Sequence, residues 1–232
     1  MKSIYLDEQV VEGKRLGRHV QHDPRSRNFV ARQTITPINL HTVKHRRYGV
    51  VFDQGSLGSC TGNAAAGAIN TIPLHVKGRN LHEPEAVELY SLATELDTYD
   101  GQYPPVDTGS SGLAAAKAAK QKGYIASYAW AFGIDQALSA LQIDPVITGV
   151  NWYEGMDTPD KDGFVKIEGE IRGGHEFEVY EYLANLEDPT QAVVGCYNSW
   201  THNWGVGGKF YMHVADWDEL LNQDGDVTVL YQ

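Results

Sequence analysis

Three observations predict an α+β chain with helices first and strands second. Helix signals dominate between residues 55 and 142, and runs of β-branched and aromatic residues dominate from residue 143 onward. The chain has 232 residues with 42% hydrophobic content, enough for one large domain or two closely packed subdomains with a real core. This order implies two lobes with a cleft between them, a helical lobe over about 55–142 and a β-rich lobe over 143–232. Together they form a body over 50–232, and residues 1–49 form an arm packed on it.

The elements follow in chain order. The arm is polar and weakly periodic; His22-Asp23-Pro24-Arg25 reads as a turn, and Thr34-Ile35-Thr36 and Ile38-Asn39-Leu40 as short extended pieces. Gly55 to Gly58 is a loop. Beyond Cys60, the small apolar run Asn63 to Asn70 suits a closely packed, buried helix that stops before Pro73. Pro84 sits well in the first turn of a second helix, Glu85 to Leu96. Ser110-Ser111 caps a third, Gly112 to Lys122, which Gly123 stops. Asp135 to Leu141 is a short fourth. Strands are expected over Pro145 to Trp152, Gly163 to Glu168, His175 to Tyr182, Ala192 to Asn198, Lys209 to His213 and Val227 to Tyr231, with a short helix over Asp216 to Asn222.

Charge narrows the function. A net charge of −11 argues against a nucleic-acid partner, because phosphates must be neutralised by Lys and Arg. The basic residues gather early, at Lys14-Arg15, Arg25, Arg27 and Lys44 to Arg47, and read as a solvated arm. No apolar run is long enough to span a membrane, and Met1 to Glu8 lacks the apolar core of a signal peptide, so cytoplasmic synthesis is expected. Cys60 and Cys196 make no disulfide scaffold. Asp160-Lys161-Asp162-Gly163 is only part of a calcium loop, since the glutamate expected six residues after the glycine falls on Gly169. No metal and no cofactor are expected.

Four residues carry the chemistry. Cys60 stands at the expected start of a helix, where the N-terminal dipole and a nearby imidazolium both lower a thiol pKa. Gln54, six residues earlier, can join the Cys60 backbone N–H in holding a developing oxyanion. His175 follows Gly173-Gly174, whose lack of side chains lets a backbone or substrate come close. Asn198 can accept from one imidazole nitrogen and leave the other to face the thiol, with Trp200 shielding that bond from water. Taken singly, each has a bland reading: an inert buried cysteine, a surface glutamine, a core histidine. Cys196 reads as a small core residue.

In their order and setting, Gln54…Gly58-Ser59-Cys60, Gly173-Gly174-His175 and Asn198-Ser199-Trp200-x-x-x-Trp204-Gly205-x-Gly207-Gly208 resemble the papain family of cysteine peptidases. Gly58-Ser59-Cys60-Thr61-x-Asn63-Ala64 is most similar to its prokaryotic and viral branch; for a viral chain the host cytoplasm or a virion is the expected location. The resemblance implies a helical lobe carrying the cysteine and an antiparallel β lobe carrying the histidine and asparagine. It implies peptide-bond hydrolysis through an acyl-thioenzyme on a peptide or protein substrate. Gly109, Ser110 and Ser111 would then wall the cleft and bind extended backbone, with Gly174 and Trp200 also touching substrate. The same residues also suit a helix-leading turn.

The sequence departs from the family in several places. Thr61 replaces the usual tryptophan, Glu176 replaces a small residue after the histidine, and Thr201-His202 replaces a glycine. Glu176 is expected to point to solvent, though a carboxylate there could perturb the histidine or the substrate's charge preference. The arm is too short for the usual inhibitory pro-domain, so no built-in zymogen control is expected. The alternatives are a peptidoglycan amidase or endopeptidase, an acyl transferase, or a non-catalytic binding or structural protein on the same fold. The sequence leaves oligomeric state open.

Overall fold

The structure is a computed structural model that describes residues 1–31, 40–185 and 187–232. Three helices pack together in the first half of the body: α1 (Cys60–Ile69), α2 (Glu83–Leu96) and α3 (Gly112–Gln121). Each begins as the sequence implies. Pro84 lies in the first turn of α2, the Ser111 hydroxyl accepts the Ala114 N–H at 3.2 Å to cap α3, and Gly123 (φ 73°) ends it in the left-handed region. Phe52, the alanines of α1 and α3, and Ile69, Leu89 and Ala93 make one apolar core between these helices.

Strands β4 (Ser127–Ala131), β5 (Val146–Tyr153), β6 (Ile171–Leu183), β7 (Val193–Tyr197), β8 (Lys209–His213) and β9 (Asp226–Tyr231) form an antiparallel sheet in the order β4-β9-β5-β6-β7-β8. Strand β3 (Val43–Lys44) pairs with β6. A second core fills the sheet with Trp152, Phe177, Val194, Phe210 and Trp217, and α4 (Ile134–Leu141) and α5 (Val214–Leu221) pack against it. Cys196 is buried in that core. Helix α1 lies across β6, so the first residue of the helix meets the middle of the strand.

Two strand expectations change. Residues 163–168 are not a strand: Gly163 (φ 90°) turns the chain, and only Phe164 bridges, to Tyr211. Conversely, β4 lies inside the stretch read as helical, where Tyr128 and Trp130 pair with β9. Of the extended pieces expected in the arm, Thr34-Ile35-Thr36 and Ile38-Asn39 lie outside the described residues.

The arm folds back on itself. Strand β1 (Lys2–Ile4) pairs antiparallel with β2 (Val20–His22), and the loop between them crosses the body. His22 to Arg25 forms the expected turn, with Asp23 accepting the Arg25 N–H at 2.9 Å. Its basic residues are not uniformly solvated. Arg15 pairs with Glu8 and with Asp107 at 3.1 Å, and buried Arg47 pairs with Glu178 at 3.1 Å. Among the described residues no helix is long and apolar enough to cross a membrane.

Candidate active site

Cys60 opens α1 and is wholly buried. The Glu176 backbone lies against its sulfur, which sets the thiol beside the residue that follows His175. His175 Nε2 lies 2.7 Å from Asn198 Oδ1, and the same oxygen accepts the Ser199 N–H at 2.7 Å. Asn198 Oδ1 is therefore an acceptor, Nε2 carries the proton, and Nδ1 is left with its lone pair. Nδ1 is buried and has no hydrogen-bond partner. The imidazole stacks on Trp200 (centroids 4.9 Å apart) and meets the Trp152 ring at a T-shaped angle at 4.8 Å; it is wholly buried, and these contacts fix its orientation.

Gln54 comes to the same place because its strand-like segment pairs with the turn that carries Asn198. Gln54 N–H donates to Ser199 O at 2.9 Å, and Thr201 N–H to Phe52 O at 3.1 Å. The Ser199 hydroxyl donates to Gln54 Oε1 at 2.6 Å, which turns the amide nitrogen toward the cleft. That nitrogen donates to Leu57 O at 2.9 Å and to Leu16 O at 3.1 Å. Gln54 thus holds a peptide carbonyl oxygen, and that oxygen belongs to the arm.

Residues 15–19 fill the cleft as an extended backbone. Gly17 and Arg18 N–H groups both donate to Gly174 O, at 3.2 and 2.9 Å. Ser110 N–H donates to Gly17 O at 2.8 Å, and His19 N–H to Ser110 O at 2.7 Å, a parallel bridge. Trp200 Nε1 donates to Arg15 O at 2.8 Å, and the Ser111 hydroxyl to Gln21 Oε1 at 2.5 Å. Gly17 must be glycine: its φ is 124°, and a Cβ there would lie 2.0 Å from Gly58 O. A Cβ on Gly109 would lie 2.6 Å from Gly17 O. All five residues expected to touch substrate therefore meet the arm or adjoin it, and the arm seals the site that was expected to be open.

This seal reverses the expected electrostatics. Burial pushes the Cys60 thiol well above its ordinary value. Burial also lowers His175 to about 3; the Asn198 bond opposes this and Arg172 adds to it. With the arm in place the site holds a neutral thiol and a neutral imidazole rather than an ion pair.

Glu176 also departs from expectation. It does not point to solvent but is fully buried, because β6 is an inner strand and its side chain lies under α3. Sequence reasoning gave no role to three further residues at the site: Ser199, which orients Gln54, and Arg18 and Asp226, which pair beside Glu176. Ser199 was within reach, since it sits between Asn198 and Trp200. Nothing in the local sequence marks Asp226.

No protein-family model matches this chain, and no curated protein sequence does. Solved structures do. Xylellain, a cysteine protease from Xylella fastidiosa, superposes with a TM-score of 0.71 at 18% identity, covering 97% of this chain and 98% of that one. Digestive procathepsin L 3 of Tenebrio molitor larval midgut superposes with a TM-score of 0.66 at 13% identity, covering 95% and 76%. The bromelain protease from Ananas comosus, solved with the E64 inhibitor, gives 0.57 at 16% identity over 80% and 94%. The mixed helical and antiparallel fold is that of the papain-like cysteine proteases.

Proposed function

We propose that this chain is a papain-like cysteine endopeptidase, of the prokaryotic or viral type that Gly58-Ser59-Cys60-Thr61 resembles, and that residues 15–19 hold it closed. One observation carries the reading. An extended peptide backbone runs against Gly58, two residues before Cys60, with a carbonyl oxygen on Gln54 and main-chain bonds to Gly174 and Ser110. A groove that binds its own chain in this way suits a peptide substrate once the arm has moved aside.

In that open state the Cys60 thiol passes its proton to His175 Nδ1, and the thiolate attacks the peptide carbonyl. Gln54 Nε2 and the Cys60 N–H hold the oxyanion, an arrangement worth about 2.7–4 kcal/mol per donor in comparable sites. The imidazolium gives its proton to the leaving amine. His175 then takes a proton from water, whose attack on the thioester releases the acid and restores the thiol. Asn198 keeps Nε2 engaged throughout, so that Nδ1 stays aimed at sulfur. The chain's own residues supply every step, with no metal or cofactor.

The test is peptide release from unfolded casein by the full chain carrying Gly17→Ala, which detaches the arm, with and without Cys60→Ala. Release by the first and none by the second, at equal thermal stability, is the expected result. Equal release by both would overturn the reading. Release of cell-wall fragments without casein cleavage would transfer the same parts to an amidase.

A further inference from the structure

One ion pair ties together the rings that surround His175. Asp157 ends the short helical turn Glu154–Asp157. Its Oδ1 accepts the Trp152 indole N–H at 2.9 Å, and its backbone oxygen accepts the Trp204 indole N–H at 2.9 Å. The same Oδ1 accepts Arg172 Nε at 3.0 Å. Arg172 stands on β6, three residues before His175, and its guanidinium carbon lies 6.0 Å from the centre of the Trp200 ring. Trp152 and Trp200 are the two rings that lie nearest the imidazole, and Trp204 meets Trp200 at a T-shaped angle at 5.1 Å. The Asp157–Arg172 pair therefore touches both rings that hold His175 and the one that backs them.

The same guanidinium fastens the arm. Its side chain is 2% exposed; Nη1 donates to Gln9 O at 2.7 Å and Nη2 to Lys14 O at 2.6 Å, and the Gln9 N–H returns to Arg172 O at 2.8 Å. All three guanidinium nitrogens thus have acceptors within the protein, and a full positive charge is held close to a histidine that must itself become positive during turnover. Like charge disfavours the imidazolium, and the Arg172 charge adds to burial in lowering His175. Asp157 supplies the opposing charge. The other ionisable groups that face the site are Cys60 from α1, Glu176 from β6, Asp226 from β9, and Glu8 and Arg18 from the arm, and these act on the sulfur or on one another. Once the arm leaves, Nη1 and Nη2 turn to water, which screens the charge, while the bond to Asp157 stays.

We propose that Arg172, held by Asp157, is a positioning residue that fixes the ring cage of His175 and tunes how readily the imidazole takes a proton, strongly with the arm bound and weakly without it. The inference rests on the peptidase reading for what His175 does with that proton, but the tuning itself is read without turnover. Neither residue of the pair touches the reacting atoms; both act on His175 through Trp152, Trp200 and their charges. The two partners carry opposite charges at one place, so removing each moves His175 in an opposite direction. Without the Arg172 charge a penalty on the imidazolium is lifted, and the ring holds its proton to higher pH. Without the Asp157 charge Arg172 acts unopposed, and the ring loses its proton at lower pH. A pair that served the fold alone would, on loss of either partner, loosen the cage and move His175 the same way in both cases.

The experiment uses the full chain with Gly17→Ala, which detaches the arm, and Cys60→Ala, which removes the thiol as a proton partner. The titration of His175 is followed by NMR of its ring Cε1–H, assigned by its loss in His175→Ala. Arg172→Gln should raise the midpoint by about 0.5–1 pH unit, and Asp157→Asn, which keeps the acceptor for Trp152, should lower it by about as much. Arg172→Lys, which keeps the charge, should recover at least half of the shift, by about twofold over Arg172→Gln. In the same variants with Gly17 restored, both shifts should be larger. Any result without opposite signs for Arg172→Gln and Asp157→Asn overturns the proposal. If Arg172→Gln does not give a cooperative melt, Arg172→Met, which keeps the length of the stem, carries the same assay. The same substitutions in the Gly17→Ala chain with Cys60 intact separate the two readings. Opposite shifts without peptide release from casein end the peptidase reading and keep the tuning, and release without opposite shifts does the reverse.

Discussion

At the scale of single residues, the site is held by bonds that leave little choice of tautomer or rotamer. Asn198 Oδ1 accepts from two donors, so His175 must be protonated at Nε2. Ser199 fixes which end of the Gln54 amide faces the cleft. In the open enzyme, Gln54→Ala should lower kcat by about 10²–10³ with the melting temperature unchanged, as loss of one oxyanion donor does elsewhere. Ser199→Ala should cost less, since it frees the amide without removing it. Steady-state kinetics on one peptide substrate checks both, and an unaltered kcat in Gln54→Ala would remove the residue from the mechanism. The closed chain should show a different signature. Burial raises the thiol above its ordinary value, so Cys60 stays protonated up to and beyond that value; His175, lowered to about 3, stays neutral above it. Both groups are thus uncharged over the accessible range, and iodoacetamide should alkylate wild-type Cys60 slowly, with no acid plateau. The four residues expected to carry the chemistry stand out in the sequence because each lies in a run with its own local logic: a thiol before a small-residue helix, a histidine after two glycines, an asparagine before a tryptophan. Glu176 was misread because its surroundings are set by partners 27 and 50 residues away in Gly149 and Asp226; only the strand register makes it a buried acid.

At the scale of elements, helices were read more surely than strands, and the reason is local. Helix α3 carries its cap in Ser111 and its stop in Gly123, and α2 its proline, all within the segment itself. Strand β4 has only five residues between two helices and exists because β9, nearly 100 residues later, offers an edge; the alternation of Tyr128 and Trp130 was its one local sign. Residues 163–168 have the composition of a strand but no partner to pair along their length. The approach of α1 to α2 sets where Cys60 stands. A Cβ on Gly62 would lie 2.3 Å from Ala86 O, so Gly62→Ala should wedge the two helices apart and destabilise the fold by about 1–3 kcal/mol in urea unfolding. A neutral effect would mean that the helices are not packed as closely as described.

At the scale of the whole molecule, the arm changes the account most. The sequence suggested a basic, solvated appendage too short for the usual inhibitory pro-domain. The structure makes it a hairpin whose loop fills the cleft, tied down by Arg15 to Asp107, by Arg18 to Asp226, and by Arg172 donating to Gln9 O and Lys14 O at 2.7 and 2.6 Å. A short segment suffices because it needs no fold of its own: the groove supplies the hydrogen bonds and the acidic body supplies the counter-charges. That could not be read from the arm's composition, since the partners that tie Arg15 and Arg18 to the body, Asp107 and Asp226, lie far away in the chain. The central claim is that Cys60 is a peptidase thiol kept unreactive by residues 15–19. Its most direct test is the rate of Cys60 alkylation by iodoacetamide at pH 5, in the full chain and in Gly17→Ala, with Cys196→Ser in both. Gly17→Ala leaves every body residue intact but cannot keep a φ of 124° or its contact with Gly58. The account predicts slow alkylation of the parent, a rate about a hundredfold higher in Gly17→Ala, and loss of that gain when His175→Ala is added. Equal rates with and without Gly17→Ala, or a thiol that titrates singly near about 8.5 and ignores His175, would contradict it.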